Sequence, residues 1–252
     1  MDQTEQNNPA GRLHAILSSV LEEIKGKQNH NGLALWSTVF DVKLSNPISL
    51  SEVREVITRI LQFDKLIDET EASLLGIEGL PDRYFRPFAR IRAIPKQTLT
   101  ALTSDIAGQI KTISEGDMTV LEFCSERLEQ QHRERIIDKA ELNQILQDVT
   151  TLFNEVQQAD IDAELQTFIL DGLESIRRGI YEFRIRGPVR LKETIGEIVG
   201  SLYVNYKTVA AAGEDESLEK FNTLFNRLTT LVTFANTSVK LLSAVATPLL
   251  PG

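Results

Sequence analysis

Eleven basic side chains of this 252-residue chain fall in two short stretches, and most of them are arginine. Residues 83–96 carry Arg83, Arg86, Arg90, Arg92 and Lys96 with no acid. Residues 177–192 carry Arg177, Arg178, Arg184, Arg186, Arg190 and Lys192 against Glu182 alone. Each window sums to +5 in a chain of net charge −9, so the remainder stands at −19. A guanidinium forks two oxygens of a carboxylate or phosphate and also stacks on aromatic rings. Tyr84, Phe85 and Phe88 interleave the first window, and Tyr181 and Phe183 the second, a composition that grips phosphates and bases. The candidate binding residues are therefore Arg83, Arg86, Arg90, Arg92, Arg177, Arg178, Arg184 and Arg186. The competing expectation is internal pairing with carboxylates on neighbouring helices. A protein partner is expected. Nucleic acid is disfavoured, because its binding runs on phosphate neutralisation and the net charge opposes it.

Catalytic constellations are sparse. Arg127-Leu-Glu-Gln-Gln-His132 has R-x4-H spacing and resembles the motif of the HEPN ribonucleases, all-helical enzymes in which arginine and histidine act together on RNA. The resemblance covers six positions, and Leu128 stands where that family usually has a polar residue. It implies catalytic roles for Arg127 and His132. On a straight helix the two lie about 140° apart, so a helix end or kink is needed for both to meet one substrate. The bland alternative is a charged helix terminus. His14 and His30 have no metal-ligand spacing to other His, Cys or carboxylate residues, so no metal is expected. The sequence has no phosphate-cradling glycine loop and no Gly-x-Ser-x-Gly turn, and neither cofactor nor enzymatic activity is expected. The single cysteine, Cys124, sits among apolar neighbours and reads as an inert thiol suited to a reducing cytoplasm.

The elements that must position these residues follow a helical period nearly throughout. Leu13, Ile16, Leu17, Val20, Leu21 and Ile24 define a first amphipathic helix, with Pro9 in its first turn and Gly26 as its stop. A short element over 33–42 holds the only tryptophan, Trp36. Ser49-x-x-Glu52 is a capping box that opens a long helix to about Leu75, with Val53, Val56, Ile57, Ile60, Phe63 and Ile67 inward. The first arginine window predicts a helix split near Pro87 and ending before Pro95. Two weaker helices follow near 97–113 and 118–132. Asp138 starts another, Asp160 caps a longer one, and Gly187 and Pro188 mark its end and the start of the next, which runs through Val209. The fold class is all-α, about ten helices in a bundle or irregular array, with no strand. The domain expectation is 1–114, 115–212 and 213–252, with breaks near 114–117 or 133–138.

Two features bear on association. Gly196 and Gly200 share one helix face and would let another backbone approach closely; packing within the fold is expected there ahead of a dimer face. The last helix carries apolar residues from Phe221 to Val245, with asparagine and threonine mostly opposite. It is expected to complete a core, with a homo-oligomer or a membrane-surface role over 218–247 as alternatives. Polar residues interrupt 228–250, so a spanning segment is not expected, and the first residues lack the pattern of a secretory signal.

The order of Trp36 after an Asn-Gly loop, a long capped helix, the RYFRPFARIRAI segment and then LESIRRGIYEFRIRGPVRLKETIGEIVG resembles a group of functionally uncharacterised small all-helical bacterial proteins. The resemblance spans roughly two thirds of the chain and transfers no site residue. It implies an accessory role of the kind found in host defence or toxin immunity. The functional expectation is a non-enzymatic interaction protein.

Overall fold

The computed structural model describes residues 8–25, 31–131, 134 and 137–233. Among them the chain forms twelve α-helices, α1 to α12, and one 3-10 turn, with no strand longer than the isolated bridge Asn31–Asp105. Two compact units are formed, Met1–Glu134 with Ile185–Gly187, and Arg135–Arg184 with Pro188–Gly252.

In the first unit, α1 (Pro9–Ile24) begins with Asn8, whose side chain accepts from Gly11 N, and buries Leu13, Leu17, Val20 and Ile24. The helix α2 (Gly32–Val39) seats Trp36 at zero exposure, stacked on Phe40 and tilted against Phe63. Its indole N–H donates to Thr98 Oγ1 at 3.1 Å, so the one polar atom of that ring is satisfied. The capping box at Ser49 and Glu52 forms as the spacing requires and opens α3 (Leu50–Leu75), which buries Val56, Ile60, Phe63, Leu66, Ile67 and Leu74.

The first arginine window is broken more finely than proline rules foretell. A 3-10 turn (Asp82–Phe85) precedes α4 (Phe88–Ile91), and α5 (Ala93–Thr100) begins before Pro95 and includes it. Pro95 is tolerated because it falls in the first turn, where its missing N–H has no intrahelical acceptor. The helix expected over 97–113 is replaced by the end of α5, a turn and the single-turn α6 (Ala107–Ile110). The helix α7 (Glu115–Gln131) packs along α1 and buries Leu121, Cys124 and Leu128. Burial raises the Cys124 thiol to about 12, so the thiolate is suppressed.

In the second unit, Asp138 caps α8 (Lys139–Gln158) and Asp162, rather than Asp160, caps α9 (Ala163–Arg186) by accepting from Glu164 N and Leu165 N. The longer helix expected through Val209 is interrupted at Asn205, giving α10 (Pro188–Val204) and α11 (Tyr206–Ala212). Asp215 caps α12 (Glu216–Val232), whose Phe221, Leu224, Phe225 and Leu228 are buried against a core shared with α8, α9 and α10. Residues of the expected last helix from 234 onward lie outside the described residues.

The close helix contacts in this unit are made by glycines other than Gly196 and Gly200. A Cβ on Gly172 would lie 2.4 Å from Phe221 Cζ, and one on Gly179 would lie 2.2 Å from Thr194 Oγ1. Added Cβ atoms at Gly196 and Gly200 meet nothing within 4 Å. Among the described residues nothing therefore takes up the packing role expected of that pair.

Candidate anionic-partner interface

Eight arginines were expected to bind, and their surroundings divide them sharply. In the first unit Arg83 lies in the 3-10 turn and Arg86 follows directly as its C-terminal cap. Both are exposed, and among the described residues neither has a carboxylate partner. Arg83 lies over the Tyr84 ring, its guanidinium carbon 5.7 Å from the centroid.

Further along the window the arginines diverge. Arg90 forks Asp117 on α7, with Nε donating to Oδ2 at 3.1 Å. Asp117 is 4% exposed and also accepts from the backbone and hydroxyl of Ser114 at 2.9 and 2.8 Å. Burial alone would raise the Asp117 pKa; hydrogen bonds from Arg90 and Ser114 outweigh it and hold the carboxyl below its usual range. Arg92 turns the other way, to Asp68 and Glu71 on α3. These two therefore tie helices together.

Arg186 has the same internal fate. It is 3% exposed, donates from Nε to Glu69 Oε1 at 2.8 Å, and approaches Gln62 Oε1 at 3.4 Å. Nearby, Arg12 donates to the carbonyls of Ile185 and Arg186 at 3.1 and 3.0 Å, satisfying the C-terminal end of α9. Gly187 follows at φ +66°, where a Cβ would fall 2.5 Å from the Arg12 guanidinium carbon. Glycine is needed there both for the backbone and for the space.

In the second unit Arg177 pairs with Glu174 three residues back and lies over the Phe153 ring at 5.4 Å. Arg178 reaches Glu197 on α10 at 3.4 Å. Arg184 is exposed and has no carboxylate partner among the described residues. Acids lead and bases end α9, with Glu164, Asp171 and Glu174 ahead of Arg177, Arg178 and Arg184, an order that complements the helix dipole. Arg190, not among the eight, forms a buried pair with Glu182, each 3% exposed, and extends to Glu197 at 3.0 Å.

Other expected chemistry is less developed. Arg127 is exposed on α7, which ends at Gln131; His132 lies outside the described residues. Among the described residues no group of three His, Cys, Asp or Glu is arranged to hold a metal ion, and no helix is long and apolar enough to cross a membrane. A depression of about 360 Å³ is lined by residues including His14, Lys25, Glu115 and Glu122, a mixed rim without convergent donors. Nothing in the sequence distinguishes Arg83 and Arg86 from Arg90 and Arg92, because the partners of the latter lie some 20 to 27 positions away. No protein-family model matches the chain, and no curated protein or solved structure matches it significantly.

Proposed function

We propose that this protein is a non-enzymatic helical interaction protein that docks an acidic protein segment through Arg83 and Arg86. The observation that carries the reading is the contrast within one window. Arg90 and Arg92 are tied to Asp117, Asp68 and Glu71, while Arg83 and Arg86, in and just after the 3-10 turn, are exposed and have no carboxylate partner among the described residues. In a chain of −9, cations left without internal carboxylates are the groups that gain most from an external one. Two forks one turn apart suit carboxylates one helical turn apart on a partner. They are too few, on a chain this acidic, to neutralise a nucleic-acid backbone.

The test is fluorescence anisotropy with a labelled helical peptide bearing glutamates at i, i+3 and i+4, alongside a single-stranded RNA of similar length. Wild type is expected to bind the peptide in a salt-sensitive manner and to prefer it over RNA. Arg83→Glu/Arg86→Glu should weaken peptide binding by at least about tenfold, the equivalent of one charge-assisted hydrogen bond. Equal affinity in the variant, or preference for RNA, would overturn the reading.

A further inference from the structure

The 3-10 turn that carries Arg83 lies along one flank of α7, and that flank continues the basic surface. Arg90 binds Asp117 in the first turn of α7, and the Tyr84 carbonyl lies 3.8 Å from Cys124 Sγ, two turns further on. The first arginine window therefore runs antiparallel to α7, with Arg83 and Tyr84 level with Cys124 and the turn that follows it. On its other flank α7 meets α1. There Asn8 donates to Ser125 Oγ at 3.1 Å, and the depression beside His14 and Lys25 takes in Glu115 and Glu122.

Charge on α7 is sorted between these two flanks. At 100° per residue, Glu115, Glu122, Glu126 and Glu129 fall within an arc of about 60° on the α1 side. Val120, Phe123 and Arg127 fall within another arc of about 60°, centred about 120° away on the window side. The exposed acids of α7 thus stand away from the window. Phe123 is 50% exposed, and Arg127 is exposed one turn further on. Three and four positions from Arg127 stand Phe123, Cys124, Gln130 and Gln131, so its own helix offers it no acid. Among the described residues Arg127 has no carboxylate partner.

From this placement we infer, resting on the docking function proposed above, that Phe123 and Arg127 complete the surface of Arg83 and Arg86. The partner segment then carries a bulky apolar residue one helical turn from its carboxylates. Charge complementarity selects this occupant: Arg83, Arg86 and Arg127 stand against one acid of the turn, Asp82, in a chain of −9. Arginine and aromatic side chains are enriched in protein–protein contacts and Glu and Lys are depleted, which is the composition of this flank. Carboxylates alone leave the Phe123 ring in water. An apolar residue set beside them covers the ring and excludes water from the ion pairs, which strengthens each of them. The one-turn spacing follows from Phe123 and Arg127, which are themselves one turn apart.

Fluorescence anisotropy of the full chain with three labelled probes tests this. Two are helical peptides with glutamates at i, i+3 and i+4, one bearing alanine and the other phenylalanine at i+7; the third is a single-stranded RNA of similar length. Wild type should bind the phenylalanine peptide at least about fivefold more tightly than the alanine peptide, and both more tightly than RNA. Phe123→Ala should abolish that preference and leave affinity for the alanine peptide unchanged, while Phe123→Leu should retain most of it. Arg127→Gln should weaken both peptides by at least about threefold. Both positions are exposed and the new residues favour helix, so the thermal melts should match wild type. Arg83- and Arg86-dependent binding without a phenylalanine preference, or a preference that survives Phe123→Ala, would overturn this inference and leave the docking function standing. Failure to bind either peptide, or a preference for RNA, would overturn both.

Discussion

Replacing Arg190 alone should damage the second unit far more than replacing Arg190 and Glu182 together. The two side chains form an ion pair at 3% exposure each, at the base of the α9–α10 hairpin. Arg190→Met removes the cation and leaves the Glu182 carboxylate buried with its counter-charge gone. Breaking a buried pair in this way costs about 3–5 kcal/mol, whereas replacing both members by apolar groups of similar volume is often neutral. For a chain of this size about 2–4 °C of melting temperature accompanies each kcal/mol, so Arg190→Met should melt roughly 6–20 °C below wild type. Glu182→Leu/Arg190→Met should recover most of that loss. Glu193 and Glu197 also contact Arg190, but their side chains are 43% exposed, so they return to water when the arginine is gone. The assay is urea and thermal unfolding followed by circular dichroism, arranged as a double-mutant cycle. A single variant within about 1 kcal/mol of wild type, or a double variant as unstable as the single, would refute the assignment of Arg190 to internal structure.

Two further outcomes follow from the packing and the charges. Gly179→Ala should destabilise by about 1–3 kcal/mol, since its methyl meets the buried Thr194 side chain, whereas Gly196→Ala should stabilise by about 0.4–1 kcal/mol; chemical denaturation of both variants checks the opposite signs. The Asp117 carboxyl titrates below its unfolded value, so its contribution is present above about pH 4 and is lost as pH falls through the lower folded value. Asp117→Asn should therefore flatten the acid limb of the stability–pH profile below about pH 4, and an unchanged limb in the variant would contradict the assignment.

Features that act over one turn were legible in the sequence. Ser49 and Glu52, Asp138, Pro9 and the Gly187-Pro188 pair signal helix ends through bonds to residues two to four positions away, and the elements begin and end there. Features that depend on remote partners were not. Arg83 and Arg186 are the same residue type in similar basic surroundings, yet one faces water and the other is sealed against Glu69, 117 positions away. Glycine shows the same limit. The Gly196–Gly200 spacing draws attention because it is periodic, while Gly172 and Gly179 make the close contacts through Phe221 and Thr194, which only the fold brings near. Pro95 misled for a related reason: proline ends a helix interior but fits a first turn, and the sequence does not say where the turn begins.

The docking claim is tested most directly by placing a photo-crosslinking amino acid at Ala89, an exposed position between Arg86 and Arg90, in cells expressing the chain. The account predicts adducts to glutamate- or aspartate-rich protein segments that disappear in Arg83→Glu/Arg86→Glu, while the same probe at exposed Gln147 gives none of them. Adducts that persist after the charge reversal, or that are removed by nuclease treatment, would contradict it.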